Sequence, residues 1–248
     1  LRQVSRFEAN QNEIRLASGA CEFILFFVTA HSETIARLLD PGIIPVIRAD
    51  SSEHIMAACE ALVAGGITTL EITMTTPNAL ACISEASRRF APRAITGAGS
   101  VTTPEMCHAT IQAGARFVVT PIMRPEIVPV ARAAGCVVVL GAFTPTEAQL
   151  AYEAGADFVK IFPAEGPAFI KAILAPLPHL KIIPTSGVTL HSAQEFLAVG
   201  CVALGVGSHL VSPRILREQK WAELTLLAAE FVDIVRRFHR SFPQGGEI

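Results

Sequence analysis

Four lysines occur in the 248-residue sequence, and their surroundings differ sharply. Lys171 and Lys220 fall in amphipathic helical stretches, where a solvated ammonium is expected, and Lys181 opens a strand. Lys160 alone lies inside a strand, in Phe158-Val-Lys-Ile-Phe162. Successive strand residues point to opposite faces. Phe158, Lys160 and Phe162 therefore share one face, and Val159 and Ile161 the other. The purely apolar face suits a covering helix layer, so Lys160 is expected to point inward between two aromatics. Burying an ammonium there is costly and favours the neutral amine, which is the form that attacks a carbonyl to make an imine.

A carboxylate is expected beside it. In Leu70-Glu-Ile-Thr-Met-Thr-Thr76 the apolar Leu70, Ile72 and Met74 form an outer face, which turns Glu71, Thr73 and Thr75 inward. An interior Lys–Glu pair fits two readings. One is a static ion pair, whose desolvation cost can cancel its attraction. The other is an amine nucleophile with a general acid/base that moves its protons. Further inward polar groups point toward a ligand: Arg48 at the end of the first strand, Ser100 after Gly97-Ala-Gly99, and Thr120-Pro121. Two glycine-containing strand ends follow, Thr185-Ser-Gly-Val188 and Gly205-Val-Gly-Ser208. Loops in those places of a barrel often bind phosphate through backbone N–H groups. No histidine has the spacing of a metal site, so neither a metal nor another cofactor is expected.

The elements that position these groups form a repeated strand–helix unit. Five segments end a helical pattern in glycine and then run into an apolar strand; the glycines are Gly65, Gly114, Gly135, Gly155 and Gly200. Glycine in that place is expected to take positive φ. Three more strands, GIIPVIRA, AITGAGSV and KIIPTSG, bring the total to eight. Thr102-Thr-Pro-Glu105 and Thr144-Pro-Thr-Glu147 have the form of helix capping boxes. Thr76-Pro77, Arg124-Pro125 and Ser51-Ser52 open other helices. Near-continuous apolar strands alternating with helices, and no dinucleotide fingerprint, predict an α/β fold of the (β/α)8 TIM-barrel type.

Composition bounds the rest. A net charge of −2 gives no footing for nucleic acid or an anionic membrane surface. The apolar run Phe23–Val28 is too short to span a bilayer, and acidic residues early in the chain argue against a transit peptide. Six scattered cysteines without a C-x-x-C pair read as reduced core residues of a cytoplasmic protein. The expected organisation is an N-terminal extension over 1–30, a barrel over 31–240 and a tail over 241–248.

From about His31 to Arg237 the chain resembles the 2-keto-3-deoxy-6-phosphogluconate (KDPG) and 4-hydroxy-2-oxoglutarate (KHG) aldolases. The resemblance rests on Ile44-Pro-Val-Ile-Arg48, Leu70-Glu-Ile-Thr73, Gly97-Ala-Gly99, Thr120-Pro121, Val159-Lys-Ile-Phe-Pro-Ala-Glu165, Pro184-Thr-Ser-Gly187 and Gly205-Val-Gly-Ser208. The lysine motif with its Phe-Pro-Ala-Glu tail is the specific one. Glu33 to Pro41 also looks like the short helix before strand 1 in that family. The resemblance implies a class I aldolase in which Lys160 forms the imine and Glu71 moves protons. It implies that Phe162 packs on the pyruvate moiety, that Thr120 and Pro121 line the pocket, and that Ser186, Gly187, Gly207 and Ser208 hold the distal phosphate. Pyruvate and glyceraldehyde 3-phosphate would be the products, closing the Entner–Doudoroff route, and the assembly would be a homotrimer.

Three departures from the family pattern matter. Many members carry Arg on strand 2 where this chain has Thr75, so the substrate carboxylate falls to Arg48, helped by Ser100 in place of the usual Thr. The usual Thr-Gly-Gly after strand 7 is Thr185-Ser-Gly187, and serine tolerates positive φ less well than glycine. Phosphogalactonate or unphosphorylated hydroxyglutarate substrates remain open. So do a phosphosugar isomerase or epimerase using Glu71 as base, and a non-catalytic phosphosugar-binding barrel.

Overall fold

In the computed structural model, residues 30–241 are described. All of the expected 1–30 extension but Ala30, with Cys21 and the Phe23–Val28 run, therefore lies outside the described residues, as does all of the 241–248 tail but Ser241. Eight parallel strands carry the fold: β1 Ile43–Ile47, β2 Thr69–Thr73, β3 Ile95–Gly99, β4 Phe117–Val119, β5 Val137–Ala142, β6 Phe158–Ile161, β7 Ile182–Pro184 and β8 Leu204–Val206. From β1 to β7 each strand pairs with the next in sequence, and β1 also pairs with β8. The circle closes between β7 and β8 through a single parallel bridge, Thr185 with Gly205, and a bond from the Val202 N–H to the Ile182 carbonyl. The expected barrel is what forms.

Helical backbone over 30–39 (α1) precedes β1. The connecting helices are α2 Ile55–Ala64, α3 Ala79–Arg89, α4 Pro104–Gln112, α5 Ile127–Ala133, α6 Pro145–Glu153, α7 Pro167–Leu174 and α8 Ala193–Ala198. A short α9 Pro213–Arg217 and a long α10 Trp221–Ser241 follow β8. Alternation along the strands sorts the core into two. Leu70, Ile72, Val159 and Ile161 pack outward against the helices. Ile44, Ile95, Phe117, Val119, Val137, Val139, Phe158 and Ile183 form an apolar filling inside the barrel, plugged by Leu38 of α1.

Two local expectations need correction. The left-handed residue after α2 is Gly66, at φ +92, and not Gly65, at φ −78. Gly65 is needed for a different reason: a Cβ there would sit 2.5 Å from the Ala228 methyl, where α10 crosses α2. The cap of α4 is Thr103, whose side chain accepts the Met106 N–H, so the Thr102–Glu105 box does not form. Proline at the first helical position fixes which residue is the cap, and Pro104 takes that position here. The Thr144–Glu147 box forms as expected.

Candidate active site

A cavity of about 410 Å³ opens where the C-terminal ends of the strands converge. Its walls include Val46 of β1 and Arg48 just after it, Glu71 from β2, and Ser100 and Pro121 from the turns after β3 and β4. Lys160 comes from β6 and Phe162 follows it, and Thr185, Ser186, Gly207 and Ser208 come from the last two strand ends. This volume falls within the usual range for small-molecule sites, about 300–1,000 Å³.

Lys160 is 6% exposed and Glu71 2% exposed, both facing the barrel interior above its apolar filling. The register explains the neighbours of each. Lys160 pairs with Gly141, and Glu71 pairs with Val46 and Gly97. Gly99 leaves the space that the Glu71 carboxylate occupies, and a Cβ there would run into Oε1. Among the described residues Glu71 has no ion-pair contact, and its buried Oε1 accepts no hydrogen bond. Burial pushes the Glu71 carboxyl above the ordinary carboxylate range, opposed in part by the charges of Lys160 and then Arg48. The lysine ammonium position lies 5.1 Å from the centre of the Phe162 ring.

A static ion pair would bring nitrogen and oxygen into contact, and here they stay apart. The arrangement instead presents an amine and a desolvated carboxyl to the same space. That is suited to adding a nitrogen to a carbonyl and relaying the protons.

Not every expected residue reaches this space. Thr75 does not line the cavity; its hydroxyl bonds that of Thr73 at 3.0 Å. The Thr76 N–H bonds the Thr73 carbonyl, closing a turn, so the two-residue alternation stops before Thr75. Thr120 is buried and committed: its hydroxyl accepts the Gly141 N–H and donates to the Ile122 carbonyl, both at 2.7 Å. It fixes Pro121 in the wall without reaching the cavity itself. Gly187 also falls outside the lining.

Ser186 does take the feared conformation, at φ +75, and Ser100 shares it at φ +58. Left-handed backbone costs a non-glycine residue about 1 kcal/mol or more. The hydroxyls of both nonetheless belong to cavity-lining residues.

Four polar lining residues were not anticipated: Asp50, Ser51, His54 and Arg217. The first three follow β1 in the turn that leads to α2, and Arg217 ends α9. Their nearness to a strand end was the only available signal, since no periodicity reports how a loop folds back over a barrel mouth.

The sequence profile of the KDPG and KHG aldolase family matches residues 34–227. The 2-dehydro-3-deoxy-phosphogluconate aldolase of Pseudomonas aeruginosa is 35% identical over 208 residues, covering 83% of this chain and 93% of its own. A probable 2-dehydro-3-deoxy-6-phosphogalactonate aldolase of Rhizobium meliloti is 34% identical over 178 residues, covering 71% of this chain and 84% of its own. Among solved structures, KDPG aldolase from Legionella pneumophila, with pyruvate captured as a covalent carbinolamine intermediate, superposes with a TM-score of 0.70 at 31% identity. That match covers 76% of this chain and 92% of the other.

Proposed function

The chain belongs to the KDPG and KHG aldolase family, a group of lyases, and we propose that it cleaves 2-keto-3-deoxy-6-phosphogluconate to pyruvate and glyceraldehyde 3-phosphate. The observation that carries this reading is Lys160 facing one cavity with an unpaired, desolvated Glu71. In the proposed sequence the Lys160 amine adds to the C2 ketone. The carbinolamine loses water, with Glu71 relaying protons, to give a protonated imine. The C3–C4 bond then breaks, its electron pair flowing into the imine as Glu71 accepts the C4 hydroxyl proton. The aldehyde leaves, the enamine is protonated at C3, and hydrolysis frees pyruvate and the amine.

Binding roles follow from position. Arg48 holds the carboxylate as a bidentate pair, with Ser100 beside it. Phe162 and Pro121 flank the pyruvate moiety. Thr120 acts through Pro121, and Thr75 through Thr73. At the far end, Ser186, Gly207 and Ser208 face the phosphate, with Gly187 shaping the turn. A Cβ at Gly207 would meet nothing within 4 Å, so the backbone there is approachable. Removing the clamp with Arg48→Ala is expected to raise KM for keto-acid substrates about 10-fold while changing kcat little, as loss of a charge-assisted pair used equally in ground and transition states would do. Steady-state kinetics checks this, and an unchanged KM moves the carboxylate elsewhere.

The Rhizobium relative favours one second reading, the C4-epimeric phosphogalactonate substrate. Assaying the two epimers and 4-hydroxy-2-oxoglutarate side by side, by coupled detection of pyruvate, tests the assignment. A kcat/KM lower for the gluconate than for the galactonate would replace it. A homotrimer is part of the same reading. Exposed Ile122 and Phe143, the latter stacked on Phe169 at 5.6 Å, offer apolar surface for a second copy to cover. Sedimentation velocity should then give a species of three times the 26.4 kDa chain. Free, buried Cys59, Cys82, Cys107, Cys136 and Cys201 suit a reducing cytoplasm.

A further inference from the structure

Two arginines face the cavity, and they lie at different places on its wall. Arg48 follows β1, and Arg217 ends α9, beyond the Gly207–Ser208 turn. Among the described residues, neither is in ion-pair contact with a carboxylate. The contrast within α9 is instructive. Arg214, one helical turn earlier, is paired with Glu218 at 3.5 Å and with Glu223, and it does not line the cavity. Lys220 is held by the same Glu218 at 2.8 Å. The acidic groups of this segment are thus taken up by Arg214 and Lys220, which leaves Arg217 unneutralised at the cavity mouth. Asp50 is the carboxylate that shares this wall, and it too is out of ion-pair contact. Val211, Pro213 and Leu216 line the cavity with Arg217, and Arg217 itself is exposed, so its charge is open to an anion entering from solvent.

One cavity with two unpaired guanidinium groups fits a ligand with two anionic ends. We propose that Arg217 is a specificity-determining residue: its guanidinium takes the terminal phosphate of the aldehyde half, supplementing the backbone groups of the Gly207–Ser208 turn. This rests on the aldolase reading for its substrate, but not for its ligand chemistry. Arg217 compensates where Ser186 replaces the more permissive glycine. It also separates phosphorylated from unphosphorylated substrates, because the carboxylate of a glyoxylate half lies next to the reacting carbon and falls short of α9.

The test has two arms. Inorganic phosphate titrated calorimetrically into the wild-type protein, Arg217→Ala and Arg214→Ala needs no turnover. The expected result is at least 10-fold weaker binding in Arg217→Ala alone, with partial recovery in Arg217→Lys, which keeps the charge but not the fork. Equal binding in wild type and Arg217→Ala overturns the proposal, whatever the enzyme's activity. In the second arm, Arg217→Ala should lower kcat/KM for 2-keto-3-deoxy-6-phosphogluconate about 10-fold relative to 4-hydroxy-2-oxoglutarate. An equal loss on both substrates would show a general structural effect and also overturn it. Absence of cleavage by the wild type would instead refute the substrate reading, and the phosphate titration would still decide the role of Arg217.

Discussion

Borohydride reduction in the presence of pyruvate is expected to leave a covalent adduct on Lys160, and Lys160→Ala is expected to lose that adduct together with on the order of 10⁴-fold in cleavage rate. Intact-mass measurement reads the adduct, and peptide mapping reads its position. The expectation follows from where the amine sits. It is 6% exposed, faces the ~410 Å³ cavity, and is tied up in no ion-pair contact with a carboxylate among the described residues. The other lysines lie on the exterior: Lys171 on α7, Lys181 before β7, and Lys220 in an ion pair with Glu218. Modification should therefore be confined to one residue, without the scatter that surface amines would give. An unmodified wild-type protein, or an adduct that survives Lys160→Ala, would remove the imine from the mechanism. It would also return the isomerase reading, which needs Glu71 but no covalent lysine.

The placement of these two residues was legible because strand alternation is a strict geometric rule. An apolar outer face at Leu70 and Ile72 leaves Glu71 only the interior, and Val159 and Ile161 do the same for Lys160. The rule fails where the strand ends. Thr75, two residues beyond the last residue of β2, was carried inward by counting, whereas a Thr73–Thr76 turn redirects it. Thr120 illustrates a different limit. Its position was anticipated, but its hydroxyl answers to the Gly141 N–H and the Ile122 carbonyl, partners that only the closed barrel brings close. Asp50, His54 and Arg217 were illegible for the same reason. They line the cavity because the turn after β1 and the end of α9 fold back beside the mouth, and folding of that kind leaves no periodic trace in sequence. Gly65 and Gly66 show that even a recognised motif hides which residue serves the turn and which serves packing.

Glu71→Gln is expected to retain imine trapping, to slow cleavage by about 10²-fold or more, and to make the protein more stable at neutral pH. The first two effects follow from losing the proton carrier while keeping the amine. The third separates the catalytic carboxyl from a structural one. Burial raises the Glu71 carboxyl above its ordinary value, with Lys160 and Arg48 only partly offsetting it. A carboxyl with a raised folded-state pKa binds its proton more tightly when folded. Its contribution to stability is thus fully present below the unfolded value, about 4.3, and is lost as pH rises through the folded value. Glutamine keeps the shape and never ionises, so it escapes that loss. The melting temperature of the variant should match the wild type near pH 4 and exceed it increasingly toward neutrality. In the wild type, the acidic limb of kcat/KM should lie above the usual carboxylate range, because the base must be ionised to accept the C4 hydroxyl proton, and that limb should vanish in the variant. A static Lys160–Glu71 ion pair predicts the reverse sign for stability. Neutralising one member of a buried pair strands the other and costs about 3–5 kcal/mol, so a variant melting below the wild type at neutral pH would restore the structural reading. A stabler but slower variant would mean that Glu71 is held desolvated, and without a partner, for the chemistry it performs.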